Sequence, residues 1–322
     1  MKTEKTSGRF TIVDAHCDSI LDAAWGRRDL RGPTSDGHLD LERMTAAGIM
    51  VQFFAAFIEP EFKPRGPLER VLQLIDVFDS FIFENSDLIE AAYDYKDILR
   101  ILQANKTAAL LTVEGGEAVL EDLAFLRILH RLGVRGITLT WNQRNAIGDG
   151  CGEGPAGGLS VFGRQVVEEM NRLGMIIDIS HLNEGGVRDV LKYSKEPVIA
   201  SHSNVRSLCD HPRNLYDYQI KSLAEKNGVI CVTFVPDFLC PEGTAAVDDV
   251  VEHIDYLKKL VGCRHIGIGS DFDGTEEIAE GIGDAAGLPN LVKALEMKGY
   301  SEDQLERILG GNILRLIKDV LD

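Results

Sequence analysis

The chain has 322 residues, 44% of them hydrophobic and 26% charged, and carries a formal net charge of −17. These proportions supply enough apolar material for a large core and exclude a disordered or fibrous chain. The acidic excess repels phosphate backbones and anionic headgroups, and no long Lys/Arg cluster offsets it, which excludes nucleic-acid and membrane-surface partners.

Met1 to Arg9 is polar and lacks the apolar stretch of a signal peptide. No apolar run reaches the roughly 18 residues of a membrane span, so the expected location is cytoplasmic. From there the chain alternates. Eight short apolar runs read as buried parallel strands: Phe10–Ala15, Ile49–Phe57, Ala108–Val113, Gly136–Thr140, Met175–Ile179, Pro197–Ser201, Val229–Val235 and His265–Ser270. Between them, helix-period patterns run over Leu68–Phe83, Ala118–Leu132, Val161–Leu173, Gly185–Tyr193, Val247–Val261 and Leu288–Lys298.

Eight strand–helix repeats are the number that closes a TIM-type (β/α)8 barrel. An open doubly wound sheet usually has fewer strands and a Gly-rich phosphate loop after the first, where this chain has His16-Cys17-Asp18. No linker interrupts the pattern, so residues 1–322 are expected to form a single barrel domain. Ser301 caps a closing helix over residues 301–322, with Gly310-Gly311-Asn312 marking a bend or a join.

The chemistry is expected at the C-terminal ends of these strands. The first delivers His16 and Asp18, two residues apart and so on one side of an extended segment. The third ends at Glu114 before Gly115-Gly116, a carboxylate that reads as a metal ligand or, in the plainer alternative, as a helix cap. The fifth and sixth each end in Ser-His, at His181 and His202, a pairing that suits a second metal position. The eighth ends at Asp271, placed to face a metal or move a proton, with Asp273 read as a turn or cap residue. His38, His130, His211, His253 and His265 fall elsewhere and read as structural or solvated. Six cysteines without a C-x-x-C pair read as reduced thiols, Cys17 being a small buried spacer rather than a nucleophile.

His/Asp on one side, His/His on the other and Glu114 between them would hold two metal ions about 3.5–4 Å apart, lower the pKa of a shared water and polarise a carbonyl. Hydrolysis is the expected reaction.

In order and spacing, His16-Cys17-Asp18, Glu114-Gly115-Gly116, the Gly133–Thr140 run, Asp178-Ile179-Ser180-His181, Ser201-His202-Ser203-Asn204, Arg213-Asn214, Asp271-Phe272-Asp273-Gly274 and Gly311-Asn312 carry a family resemblance over nearly the whole chain. The chain resembles the membrane (renal-type) dipeptidases, the M19 metallopeptidases. That resemblance implies two zinc ions per chain, held by His16 with Asp18 and by His181 with His202, and bridged by Glu114. It also implies that Arg213 grips the substrate carboxylate, that Asp271 passes a proton to the leaving amine, and that the protein is a homodimer acting on small dipeptides, L,L and L,D.

Two departures stand out. Where animal members have a substrate-contacting histidine, this chain has Trp141; either Asn142 or Asn145 replaces its donor, or Trp141 forms an apolar wall. Neither a signal peptide nor an anchoring tail is expected, so the membrane association in the family name does not transfer. Cys209 and Cys240 lie where secreted relatives have a disulfide, and reduced thiols are expected in the cytosol. The competing functions are a binuclear amidohydrolase acting on non-peptide amides or lactams, and a metal-free binding barrel.

Overall fold

The computed structural model describes residues 9–154, 157–241 and 243–322. Among the described residues nine strands run in parallel: β1 (Ile12–Cys17), β2 (Ile49–Phe57), β3 (Ile89–Ala91), β4 (Thr107–Glu114), β5 (Val134–Thr138), β6 (Ile176–Asp178), β7 (Ile199–Ala200), β8 (Val229–Val232) and β9 (Ile266–Ile268). Eight close into a TIM-type ring in the order β1-β2-β4-β5-β6-β7-β8-β9. The β2–β4 seam is continuous from Val51↔Ala108 to Phe57↔Glu114, and β1 meets β9 at Asp14↔Ile268. The ninth strand, β3, was not anticipated. Its three residues pair only with Thr107–Ala109 of β4, below the point where β5 joins at Leu111, and so short a run carries no readable period.

The strands are apolar on both faces because both faces are buried. Val13, Ala15, Val51, Phe53, Ala108, Leu110, Ile176 and Val229 fill the inside of the ring, while Phe54, Leu111, Ile137 and Ile177 point to the surrounding helices. Ile313, Leu316, Ile317 and Val320 of the C-terminal helix (Asn312–Leu321) belong to the inner cluster, so that helix plugs one end of the barrel. The interruption before it is a π-helical turn, Arg307–Gly311. Gly310 there lies too close to the Thr11 carbonyl for any Cβ, and buried Asn312 donates to the carbonyls of Cys263 and Ile266 at 2.6 and 2.7 Å.

Helices Val161–Leu173 and Val247–Val261 have the expected bounds. The expected Ala118–Leu132 helix instead divides into a 3-10 turn, Gly116–Val119, and a helix, Leu123–Arg131, because Leu120 and Glu121 take left-handed backbone before the Asp122 cap. Among the described residues no helix is long and apolar enough to cross a membrane.

Candidate active site

The barrel end opposite the plugging helix gathers side chains from five strands. His16 lies on β1 with Asp18 just beyond it, and Glu114 ends β4; His181, His202 and Asp271 follow β6, β7 and β9. The pairing of His16 with Asp18 does not come from strict strand alternation. A register irregularity between Asp14 and Cys17 sends Ala15 to the inner cluster and Cys17 to the outer one, and Asp18 has already left the strand, with φ −104° and ψ 13°. Such a bulge re-aims side chains at the mouth of a barrel. His181 and Asp271 hold left-handed backbone at φ 66° and 65°, a conformation that costs a non-glycine residue on the order of 1–3 kcal/mol and is concentrated at functional sites. A Cβ on Gly274 would collide with the carboxylates of Asp271 and Asp18, so any side chain there would displace them.

Glu114 is the hub. Its Oε2 lies 3.4 Å from His16 Nε2, which is in turn 3.4 Å from Asp18 Oδ2. Its other oxygen, Oε1, lies 2.8 Å from His181 Nε2 and 3.7 Å from His202 Nε2. All are buried, and Asp271, the most open of the six, is 9% exposed. The ligating atoms form three overlapping groups: His16, Asp18 and Glu114; Glu114, His181 and His202; and His16, His202 and Asp271.

Hydrogen bonds fix which ring nitrogens carry protons. The Asn142 carbonyl oxygen faces His181 Nδ1 at 2.8 Å and also accepts from the Cys151 thiol, so His181 is protonated at Nδ1. Ser201 donates its hydroxyl to Asp178 Oδ2 at 2.5 Å and must therefore accept from His202 Nδ1, 2.7 Å away. Both neutral rings then aim bare Nε2 lone pairs at each other across 2.9 Å. Two facing lone pairs repel unless a cation lies between or beside them. His16 Nε2 and Asp18 Oδ1 are likewise buried without a hydrogen-bond partner. These buried His/Glu/Asp clusters fit metal ions, which satisfy all of those atoms together.

A cavity of about 370 Å³ opens above Glu114 and His181, lined also by Asp18, Leu21, Phe57, Trp141, Asn142, His211, Arg213, Phe238, Asp271 and Asp273. Arg213 is 5% exposed; its Nη2 donates to the His202 carbonyl at 3.0 Å, its Nε has no partner, and Phe238 lies 5.5 Å from the guanidinium. Trp141 packs on Phe57 with ring centroids 5.3 Å apart and approaches His181 at 6.0 Å.

The sequence model of the membrane dipeptidases (peptidase family M19) matches residues 2–322. The chain belongs to peptidase family M19. Dipeptidase tcpJ of Claviceps purpurea is 35% identical over 306 residues, spanning 90% of this chain and 71% of tcpJ. Dipeptidase aclJ of Aspergillus oryzae is 34% identical over 336 residues, spanning 98% and 80%. A metallo peptidase from Rhodobacter sphaeroides, solved with a phosphinate mimic of the dipeptide L-Ala-D-Ala, superposes with a TM-score of 0.91 at 27% identity, covering 97% of this chain and 99% of that one. The protein is thus a metallo-dipeptidase of the M19 type.

In this M19 dipeptidase the side chains alone are at odds over charge. His16 is raised well above the ordinary histidine value, Glu114 and Asp18 outweighing the burial that opposes it. Burial and then the Arg213 charge push His181 down to about 4, and burial with the His16 charge pushes His202 well below the ordinary histidine value. Burial and the Glu114 charge raise Asp18 to about 8 and raise Asp271 as well. Glu114 is held well below the carboxylate range, since His16 and His181 overcome its burial.

Several functional neighbours were not legible in the sequence. His211, read there as structural or solvated, lines the cavity and stacks on Phe238 at 4.5 Å. Asp273 does sit in a turn, with φ 66°, and it has a second role that the sequence did not show: its buried carboxylate accepts from Ser19, Arg28 and the His38 backbone, tying residues 19–38 to the last strand. Asn142 lines the cavity with its oxygen taken up by His181 and Cys151, which leaves its amide NH2 as the available donor, whereas Asn145 is bonded within its own loop, to the Leu139 carbonyl and the Ile147 amide. Cys209 and Cys240 donate to the carbonyls of Asp237 and Thr244. Asp178 and Ser201 sit inside Asp-Ile-Ser-His and Ser-His, and that repeated Ser-His was the only signal pointing to them.

Proposed function

We propose that this enzyme is a two-zinc dipeptidase that cleaves dipeptides with free termini and accepts either an L- or a D-residue at the C-terminal position. The observation that carries the reading is Glu114, with one carboxylate oxygen toward His16 and Asp18 and the other toward His181 and His202. In this reading His16 with Asp18 and His181 with His202 would each hold a zinc ion, and Glu114, reaching both groups, would be shared between them. When bound, the zinc pair supplies an activated water and a polarised carbonyl.

The chain's own residues do the rest. Arg213, buried and with an unpartnered Nε facing the same cavity, binds the substrate's terminal carboxylate in two-pronged fashion and fixes its register. Asp271, its carboxyl raised by burial, holds a proton at Oδ and hands it to the amine that leaves. Trp141 and Phe57 form an apolar wall that keeps bulk water from the scissile bond. The likeness to a structure holding an L-Ala-D-Ala mimic supports tolerance of a D-residue.

The test is a panel of L,L and L,D dipeptides and N-acetylated controls, assayed with zinc-loaded protein. Cleavage of both dipeptide series, with the blocked controls intact, is the expected result. A protein that binds zinc but leaves every free dipeptide whole refutes the assignment.

A further inference from the structure

The Phe57–Trp141 wall has a charged backing. Lys63 Nζ lies 4.2 Å from the centroid of the Trp141 ring and 5.5 Å from that of Phe57. Its side chain is only 11% exposed, and its polar partners are distant: Gln143 Oε1 at 3.4 Å and Glu117 Oε1 at 3.9 Å. A largely desolvated ammonium whose one ion pair, to Glu117, is long draws part of its stabilisation from the aromatic faces. Phe57 and Trp141 line the active-site cavity, whereas Lys63 lines a separate depression shared with Glu117 and Gln143. The two rings therefore stand between the lysine and the substrate.

The segment that carries Lys63 is fastened in place. Glu59, at its start, is buried and takes both Arg70 Nε and Nη2, at 2.8 and 2.5 Å, together with Trp25 Nε1 at 3.0 Å. Phe62, next to Lys63, packs on the Arg70 guanidinium at 4.9 Å.

We propose that Lys63 is a specificity-determining residue that acts through the Phe57–Trp141 wall, favouring apolar and aromatic side chains on the amino-terminal residue of the dipeptide and rejecting cationic ones. An aromatic face attracts a cation through its quadrupole, and here Lys63 already occupies the outer face. A substrate ammonium or guanidinium on the inner face would complete a cation–ring–cation sandwich in a poorly solvated wall, where charge repulsion is weakly screened. A neutral side chain meets no such opposition and gains the apolar contact. Assignment to the amino-terminal residue rests on the substrate orientation proposed above: with the carboxylate on Arg213, beside Phe238 and His211, the Phe57–Trp141 pair is left for the other end.

The experiment compares kcat/KM for Leu-Ala, Phe-Ala, Lys-Ala and Arg-Ala, and for Ala-Leu and Ala-Lys, using zinc-loaded wild type, Lys63→Met and Lys63→Arg. Lys63→Met should lower the Leu-Ala to Lys-Ala preference by about fivefold, the scale of one partly desolvated charge acting through a ring. Lys63→Arg should keep the preference, and the Ala-Leu to Ala-Lys ratio should not move. A double variant, Lys63→Met with Glu117→Gln, removes both charges and should show the same fall, so loss of fold in the single variant does not stop the comparison. An unchanged preference in variants that retain wild-type zinc content and thermal midpoint overturns the role of Lys63, and a change confined to the Ala-X pair overturns the assigned position. A zinc-loaded wild type inactive on all six dipeptides would instead refute the substrate reading on which this inference rests.

Discussion

Replacing Ser201 with alanine tests whether the His202 lone pair is set from behind. The hydroxyl bridges His202 Nδ1 at 2.7 Å and Asp178 Oδ2 at 2.5 Å, and all three residues are buried. Without it the Nδ1 proton has no acceptor, while Asp178 keeps Thr138 Oγ1 at 2.6 Å and the amides of Ser180 and Ser201 at 3.0 and 2.9 Å. The loss therefore falls on the imidazole. An unmet buried donor costs about 1–3 kcal/mol, and the ring can escape that cost by moving its proton to Nε2, which removes the ligating lone pair. Either route weakens zinc binding by about 10- to 100-fold, the range typical of groups that orient metal-binding histidines. Zinc competition against a chromophoric chelator, with stoichiometry from elemental analysis, gives the affinity at each site. On the proposed two-zinc reading, one zinc equivalent should weaken and the other hold. If both affinities stay within twofold of wild type while the thermal midpoint drops, Ser201 is a packing residue and the tautomer argument fails.

Four further outcomes are expected. Asp271→Asn should retain zinc and substrate affinity but lose about 10²- to 10⁴-fold in kcat, since an amide cannot pass on the proton; steady-state kinetics on a cleaved dipeptide decide this. Arg213→Ala should mainly raise KM for dipeptides with a free carboxylate and leave their amides little affected, a contrast read from paired substrates. Chelation should abolish activity and lower the thermal midpoint, because a ligand at 100 times its Kd stabilises the native state by about 2.7 kcal/mol; zinc should restore both. Away from the site, Arg172 and Arg127 hold the Glu169 carboxyl at about 2, below its usual 4.5. The stabilisation from this depressed pKa is complete above pH 4.5 and lost as pH falls toward 2. The midpoint difference between wild type and Glu169→Gln should close across that window in a melting series.

The barrel was legible because a strand buried on both faces must be apolar throughout, and β2 was bounded to the residue by its flanking turns. β3 was not, since three residues that pair with only the first three of one neighbour leave no pattern. The site residues were legible for a related reason: a histidine or carboxylate at the end of an apolar run must be paired or ligated, and His16, Glu114, His181, His202 and Asp271 each follow one. What sequence periodicity cannot hold is the meeting of residues far apart in the chain. Asp273 on Arg28, Lys63 behind Trp141, His211 beside Arg213 and Ser201 between His202 and Asp178 follow from how loops cross the barrel mouth, where no period constrains the backbone. The sequence by itself thus determined the fold class and the chemistry at the strand ends. Tertiary structure alone decided the β1 irregularity that turns His16 inward, the hydrogen bonds that select its partners' tautomers, and the Phe57–Trp141 contact that lines the cavity, because each depends on contacts across the ring.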